Sequence, residues 1–217
     1  MTHVREHHSI LATTERKMLI FVAQRLPRWI HSDHLTALAL AAMGMAGAAF
    51  VIARWDPRAL WFVVIALVLN WFGDSLDGTV ARVRRVERPR YGFYVDHVLD
   101  IAGTTLLLGG LACSPFMTPV VALGVLVAYL LVAGEVFLAT AVRGVFKMSV
   151  GGIDPTELRI ILAAGTLALF RSPVVSIGPF TLPLFDIGGA IAAAGLAAVF
   201  VISAHRNATA LAVAEPR

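Results

Sequence analysis

Residues 74–100 read DSLDGTVARVRRVERPRYGFYVDHVLD, with a pair of aspartates near each end. Asp74 and Asp77 are i, i+3 neighbours, and Asp96 and Asp100 are i, i+4 neighbours. On an α-helix, both spacings place the two side chains of a pair on one face. An arginine-rich loop joins the two pairs, so antiparallel packing would bring the four carboxylates together. The stretch therefore predicts a helical hairpin with an acidic cluster near its connecting loop.

The chain around this hairpin is too apolar for a soluble domain. Of its 217 residues, 58% are hydrophobic and 15% are charged, and the mean hydropathy is +0.79. Most of its six apolar segments approach the ~20 residues that a spanning helix needs. These segments are 35–52, 60–80, 93–113, 119–142, 158–170 and 184–203. They are continuous runs without strict alternation, so we predict an all-α integral membrane protein with six transmembrane helices.

The distribution of Lys and Arg predicts the orientation of these spans. If the connections alternate between the two sides, only three of the 18 basic residues, Arg54, Arg58 and Arg171, fall on one side. The positive-inside rule then predicts that both termini are cytoplasmic, as in a bacterial-type inner membrane. The first 14 residues include charges and lack an apolar core, so we expect no cleaved signal peptide.

The segment before the first span has an amphipathic pattern. Its apolar residues recur at helical spacing, at Met18, Leu19, Val22, Leu26, Trp29 and Ile30. Basic residues occupy the other side, which predicts a helix lying in the membrane interface; the alternative is a loosely ordered basic tail. We expect this N-terminal helix within 1–34, a six-helix transmembrane domain that contains the aspartates at 35–204 and a cytoplasmic tail at 205–217.

The residue types limit which partners the chain can have. Cys113 is the only cysteine, which excludes an intrachain disulfide and a cysteine-based metal site. The basic residues lie between apolar segments instead of forming one tail or helical face, so we expect no nucleic-acid partner. Any bound metal must be held by oxygen or histidine ligands.

Four carboxylates inside membrane spans require compensation. Each ionised carboxylate costs at least ~2.5 kcal/mol to insert, and neighbouring carboxylates repel one another. Arg82 can neutralise only one of them, whereas Mg²⁺ or Mn²⁺ can be shared by all four. The alternative is that the aspartates pair with arginines of the loop. Gly73, Gly78 and Gly92 would let a ligand approach the backbone beside the cluster.

The fixed residues of the stretch form the pattern D-x2-D-G-x2-A-R-x9-G-x3-D-x3-D. This pattern resembles the signature of the CDP-alcohol phosphotransferase (CDP-alcohol phosphatidyltransferase) family. The resemblance implies an enzyme of phospholipid biosynthesis that transfers a phosphate-linked group from a CDP-activated donor to an alcohol and releases CMP. The partners that it implies are this donor, the alcohol and membrane lipid.

The resemblance also implies a role for each matching residue. The expected ligands of two Mg²⁺ or Mn²⁺ ions are Asp74, Asp77, Asp96 and Asp100. Asp100 is also the expected general base. The expected substrate-binding residues are Arg82, which would hold the diphosphate, and three that would leave room for the cytidine, Gly78, Ala81 and Gly92.

Two further segments are similar to the choline and ethanolamine phosphotransferase branch, namely DHVLD at 96–100 and GIDPTE at 152–157. The donor is therefore CDP-diacylglycerol or a CDP-aminoalcohol. Five polar residues near the site have both a functional and a structural interpretation. They are Asn70, His97, Arg143, Lys147 and Glu157, which could bind substrate or serve as helix contacts, anchors and caps.

Two other functional classes remain. A membrane transporter could use the acidic cluster to bind a cation, but transporter sites usually lie near the bilayer midplane in broken, repeated helices. A structural membrane subunit would have no use for four clustered acids. Small-residue faces, such as those containing Gly44, Gly47, Gly188 and Gly189, allow close helix contact within one chain or in a homodimer.

Overall fold

The computed structural model describes residues 10–143 and 155–215. These ranges contain seven α-helices, one 3-10 turn and one β-hairpin. The helices are α1 Ile10–Arg25, α2 Ser32–Ile52, α3 Leu60–Arg84, α4 Pro89–Ala112, α5 Pro119–Arg143, α6 Pro155–Leu169 and α7 Leu184–Ala214. The 3-10 turn is Pro57–Ala59, and the hairpin strands are β1 Val174–Ile177 and β2 Phe180–Pro183. Lys147 and the first half of segment 152–157, residues 152–154, lie outside the described residues.

Five of the described helices are long and apolar enough to cross a membrane, namely α2, α3 with its preceding turn, α4, α5 and α7. The chain is therefore an integral membrane protein, and the predicted helical fold is confirmed. All six predicted segments form helices, but α6 has only 15 residues. At 1.5 Å per residue it is about 22 Å long, which is shorter than the ~30 Å hydrocarbon core.

The hairpin between α6 and α7 was not predicted from the sequence. Its strands have four residues each and pair in antiparallel register, with Ile177 opposite Phe180. Gly178 occupies the turn with φ of +59°, which a residue without a Cβ adopts readily. Four residues are too few for an alternating pattern to stand out beside long apolar helices.

Glycines set the spacing of α2, α3 and α4. A Cβ on Gly73 of α3 would lie 2.5 Å from the carbonyl oxygen of Leu35 in α2. Gly47 of α2 and Gly110 of α4 approach so closely that a Cβ on Gly110 would overlap the Gly47 backbone. Gly73 therefore allows helix packing, and the prediction that it gives a ligand access to the backbone was wrong. The packing role of Gly47 is confirmed.

The largest hydrophobic core lies at the end of the bundle remote from the aspartates. Phe50 of α2 is fully buried there, and its ring contacts Phe116 and Phe185 at centroid distances of 6.3 and 5.8 Å. Leu60 and Val63 of α3 are also buried in this cluster. The core joins α2 and α3 to the beginning of α7, and so supports the helical hairpin that carries the acidic residues.

Polar contacts hold α7 against α5 at both ends of their interface. Asp186, near the start of α7, accepts hydrogen bonds from the backbone N–H and the hydroxyl of Thr118, just before α5. Toward the other end, Glu135 of α5 accepts hydrogen bonds from Ser203 at 2.8 Å and Asn207 at 2.6 Å. A carboxylate within a span is costly unless it is paired, so these contacts fix the register of the two helices.

We expect the Asp186→Ala substitution to lower the free energy of unfolding by about 1–3 kcal/mol, because it leaves the partly buried N–H of Thr118 without its acceptor. Asp186 is only 6% exposed, and its contact with the Thr118 N–H is 2.6 Å. Unfolding of the purified protein in lipid micelles would measure the change. Asp56→Ala is a matched control, because exposed Asp56 also accepts a backbone N–H, that of Arg58. Equal stability of the two variants would contradict this account.

Helix α1 packs its apolar side against the end of α3 that carries the aspartates. Leu19 and Ala23 are buried there against Leu76 and Val80. The predicted amphipathic pattern continued to Ile30, but α1 ends at Arg25 because Pro27 has no N–H to continue the helix. Arg84 of α3 holds the segment after α1 by donating hydrogen bonds to four backbone carbonyls, those of Leu26, Pro27, Arg28 and Ile30.

The last helix is longer than its apolar segment. The prediction placed the end of the span at residue 203 and a tail from residue 205, whereas α7 continues to Ala214. His205, Arg206 and Asn207 therefore lie on a regular helix. The side chain of Asn207 points back to α5, where it contacts both Glu135 and Arg143.

Candidate active site

Three of the four predicted metal ligands meet between α3 and α4. Asp74, Asp96 and Asp100 each offer a carboxylate oxygen, and these oxygens lie within 4.8 Å of one another. Asp74 comes from the second half of α3, while Asp96 and Asp100 come from the first half of α4. Asp96 and Asp100 follow Asp74 in the sequence by 22 and 26 positions, and the hairpin of α3 and α4 brings all three into one acidic cluster.

Asp77 lies beside this cluster and is held by α2. Its Oδ2 accepts a hydrogen bond from Thr36 Oγ1 at 2.9 Å, and its Oδ1 accepts one from the N–H of Gly78. The hydroxyl of Ser32 also donates to the backbone carbonyl of Asp77 at 3.0 Å. The structure therefore does not place Asp77 in the three-carboxylate group, although it lies one helical turn from Asp74.

A cavity of about 690 Å³ adjoins the acidic residues. Asp77 and Asp96 line it together with three predicted substrate-binding residues, Gly78, Ala81 and Gly92. Gly92 leaves open space beside the backbone, because no atom other than those of its chain neighbours and nearby helix backbone lies within 4 Å of the position that a Cβ would occupy. Gly78, Ala81 and Gly92 thus line one space next to two of the aspartates, while their role in binding cytidine stays a prediction.

The loop between α3 and α4 closes one side of this cavity. Arg88 donates a hydrogen bond to Asp33 at the start of α2, and its guanidinium lies 4.0 Å from the centroid of the Tyr91 ring. The hydrogen bond to Asp33 raises the pKa of Arg88 above its usual value. Asp33, Arg88 and Tyr91 all line the cavity, so an ion pair between exposed side chains connects the loop to α2.

Arg82 does not line this cavity. Its guanidinium packs over Gly78, and it donates a hydrogen bond to Thr79 at 3.2 Å. The side chain is exposed, so a change of rotamer would be enough to move its charge. The structure therefore places the Arg82 guanidinium beside the cavity-lining Gly78, with a hydrogen bond to Thr79.

Arg159 is the site residue that the sequence analysis missed. Its Nη2 lies 2.6 Å from Oδ2 of Asp74, and its Nε donates to Oδ1 of Asn70 at 2.7 Å. The prediction counted Arg159 only as a basic residue marking the cytoplasmic side. The sequence does contain one signal that Arg159 binds another residue. It lies next to the apolar run of α6, where a permanently charged group needs an anionic partner.

The described members of the set of polar residues near the site have structural contacts. Asn70 donates to the carbonyl of Ala39 at 3.0 Å and so links α3 to α2. His97 Nδ1 lies 2.7 Å from the carbonyl oxygen of Phe93 in the preceding turn, and its ring contacts those of Phe93 and Phe137. Arg143 donates to Asn207. Glu157 is exposed in the first turn of α6, which is compatible with the predicted helix start.

The chemistry of the acidic cluster fits a divalent cation. Its three donors are carboxylates, which Mg²⁺ and Mn²⁺ prefer. Arg159 supplies one positive charge to Asp74, against three negative charges when all the aspartates are ionised. A group of oxygens within 4.8 Å of one another also has the dimensions of a site that shares one or two ions.

Comparison with known proteins agrees with this geometry. The sequence pattern that describes CDP-alcohol phosphatidyltransferases matches residues 29–206. The match includes all of α2 to α6 and most of α7, together with the acidic cluster and the cavity. A search of curated proteins found no match to this chain. Because the matched region covers most of the 217 residues, the resemblance is confirmed and the chain belongs to the CDP-alcohol phosphatidyltransferase family.

Proposed function

We propose that the chain is a metal-dependent enzyme that transfers a phosphate-linked group from a CDP-activated donor to an alcohol during phospholipid synthesis. The observation that carries the proposal is the meeting of Asp74, Asp96 and Asp100 within 4.8 Å, next to a cavity lined by Gly78 and Gly92. Family membership supports the same reaction class.

Four residues would hold the cation site. Asp74, Asp96 and Asp100 would supply the shared oxygens, and Asp77 would join them by turning from Thr36, which now donates to it at 2.9 Å. When bound, two Mg²⁺ or Mn²⁺ ions would neutralise the charge of the diphosphate. Arg82 would hold a diphosphate oxygen, since the exposed guanidinium can form two parallel hydrogen bonds.

Asp100 is the best candidate for the general base. It is the exposed member of the cluster, whereas Asp74 and Asp96 are half-buried. Asp74 is already bound to Arg159, and Asp77 is bound to Thr36. An acceptor hydroxyl can therefore approach Asp100 most easily. Its oxygen would attack the β-phosphorus, its proton would pass to Asp100, and the bond from that phosphorus to CMP would break.

The proposed orientation places both termini and the acidic cluster on the cytoplasmic side of a bacterial-type inner membrane. It follows from the basic residues, which are abundant on the side of the cluster and few at the opposite end. In this arrangement α6 is a short sixth span. Helix α1 lies in the interface, where its exposed Met18 and Phe21 side chains contact lipid while Leu19 and Ala23 pack on α3.

Product analysis would test the reaction and identify the donor. Purified protein in lipid micelles would receive Mg²⁺ or Mn²⁺ with CDP-diacylglycerol and a panel of alcohols, or with diacylglycerol and either CDP-choline or CDP-ethanolamine. We expect one donor class to give a new phospholipid and an equal amount of CMP, measured by mass spectrometry. The CDP-diacylglycerol and CDP-aminoalcohol reactions differ in which partner is the lipid, so the labelled product distinguishes them. Cation flux into proteoliposomes without any phospholipid product would instead support a transporter.

A further inference from the structure

Arg159 belongs to a polar network that crosses three helices beside the acidic cluster. On α6, its guanidinium donates from Nη2 to Asp74 at 2.6 Å and from Nε to Asn70 at 2.7 Å. Asn70 donates in turn to the carbonyl of Ala39 in α2 at 3.0 Å. The carboxylate of Asp74 is therefore oriented by a chain of hydrogen bonds that begins at the backbone of α2.

The network is sheltered from water. The side chain of Arg159 is 16% exposed and that of Asp74 is 29% exposed, while Asn70 is only 7% exposed. Water screens charges much less effectively in such surroundings than at an open surface. The guanidinium is permanently charged, so its charge at the cluster does not vary with pH.

The same contact that orients Asp74 must oppose the binding of a cation. A positive charge a few ångströms from a metal site repels the incoming ion, while a diphosphate that binds with the ion offsets this repulsion. We propose that Arg159 is a positioning residue that weakens cation binding at Asp74, Asp96 and Asp100 until a diphosphate is bound. The guanidinium thereby couples the affinity for metal to the affinity for donor. This inference rests on the proposed function, because it takes the cluster to be a metal site.

The coupling has a chemical use. A cluster of carboxylates with high affinity for free cations would keep them bound at all times. Water or other anions would then occupy the remaining coordination positions of these cations. A weaker site fills together with its substrate, because the negative diphosphate attracts the cation and the guanidinium alike. The hydrogen bond to Asn70 keeps Arg159 in place throughout, so the effect does not depend on a moving loop.

Binding of Mn²⁺ to the purified full-length protein in micelles tests the inference without any measurement of turnover. Electron paramagnetic resonance would measure free Mn²⁺ in the absence and presence of CDP. We expect the Arg159→Gln substitution to tighten binding of Mn²⁺ alone about tenfold, as removal of a nearby like charge predicts. CDP should then enhance Mn²⁺ binding less in this variant than in the unmodified protein.

Two variants separate charge from geometry. Arg159→Lys keeps the charge but loses the planar pair of donors, so its affinity for Mn²⁺ alone should stay within about threefold of the unmodified value. Arg171→Gln, at the opposite end of the bundle, removes a charge far from the cluster and should change nothing. If Arg159→Gln fails to fold, Arg159→Met provides a second neutral side chain for the same measurement.

The outcomes are distinguishable. Tighter binding of Mn²⁺ alone in a neutral variant, with a smaller effect of CDP, supports the inference. Unchanged or weaker binding in a folded neutral variant overturns it and leaves Arg159 a structural link between α3 and α6, while the proposed function stands. If the unmodified protein binds no Mn²⁺ with or without CDP, both the inference and the proposed metal site are wrong.

Discussion

The Asp100→Asn substitution should lower the rate of CMP release by about 10²- to 10⁴-fold, the contribution that a general base makes to catalysis. The amide cannot accept the proton of the acceptor hydroxyl. Its carbonyl oxygen can still contact a cation, so metal-dependent binding of the CDP-linked donor should largely persist. Rates of CMP release and equilibrium binding of the donor, measured on the same preparation, would separate these two effects.

Asp56→Asn is the matched control for this experiment. Asp56 is also exposed, and it accepts a backbone hydrogen bond from Arg58 in the turn before α3, whereas Asp74 lies in the second half of that helix. It should retain normal turnover. Near-normal turnover by folded Asp100→Asn protein would show that another group removes the proton.

The Asp74→Asn substitution should abolish both metal-dependent donor binding and turnover. It removes one of three carboxylates whose oxygens lie within 4.8 Å of one another. It also leaves the charge of Arg159 without its partner at 2.6 Å, so the guanidinium would oppose a cation more strongly. We therefore expect Asp74→Asn to lose more Mn²⁺ affinity than Asp100→Asn, because the Asp100 substitution does not deprive Arg159 of its partner.

Binding of Mn²⁺ in the presence of CDP would measure this difference between the two variants. The Asp74→Asn, Arg159→Gln double variant provides the internal control. Removing the unpaired guanidinium should restore part of the lost affinity. Equal Mn²⁺ affinity of Asp74→Asn and the unmodified protein would contradict the assignment of Asp74 as a metal ligand.

The sequence was sufficient to predict the main helices and the acidic cluster. Apolar runs of about 20 residues identify spans because lipid imposes both their length and their composition. The i, i+3 and i, i+4 spacings of the aspartates predicted a shared cluster, and Asp74 does meet Asp96 and Asp100. Asp77 shares this pattern, but it lies outside the three-carboxylate group because the hydroxyl of Thr36 in α2 binds its side chain.

The features that the sequence did not reveal depend on contacts between distant segments. Arg159 reaches Asp74 across 85 residues, and no local pattern relates the two positions. In the sequence, Gly73 stands beside the aspartates, as a ligand-binding glycine would. Its packing role becomes visible only when the backbone of α2 at Leu35 is seen to pass close to it. Pro27 was enough to predict the end of α1 at Arg25. The helical spacing of the apolar residues continues to Ile30, however, and favoured a longer helix.

The fold explains how a small chain can hold clustered carboxylates in a lipid environment. Helices α3 and α4 carry the aspartates near one end, and the core around Phe50 packs the other end. Helix α2 binds Asp77 through Thr36 and orients Asp74 indirectly through Asn70. Short connections and buried contacts thus hold the polar groups in place, while the carboxylate of Asp100 remains exposed.

Metal dependence of CMP release is the most direct test of the central claim that the aspartate cluster is a metal-dependent transfer site. The protein would be stripped of metal with a chelator and supplied with the donor and acceptor that give a product. We predict no CMP release until Mg²⁺ or Mn²⁺ is added, then saturable release that Asp96→Asn protein does not show. Full release in excess chelator, or normal release by Asp96→Asn protein, would contradict the account.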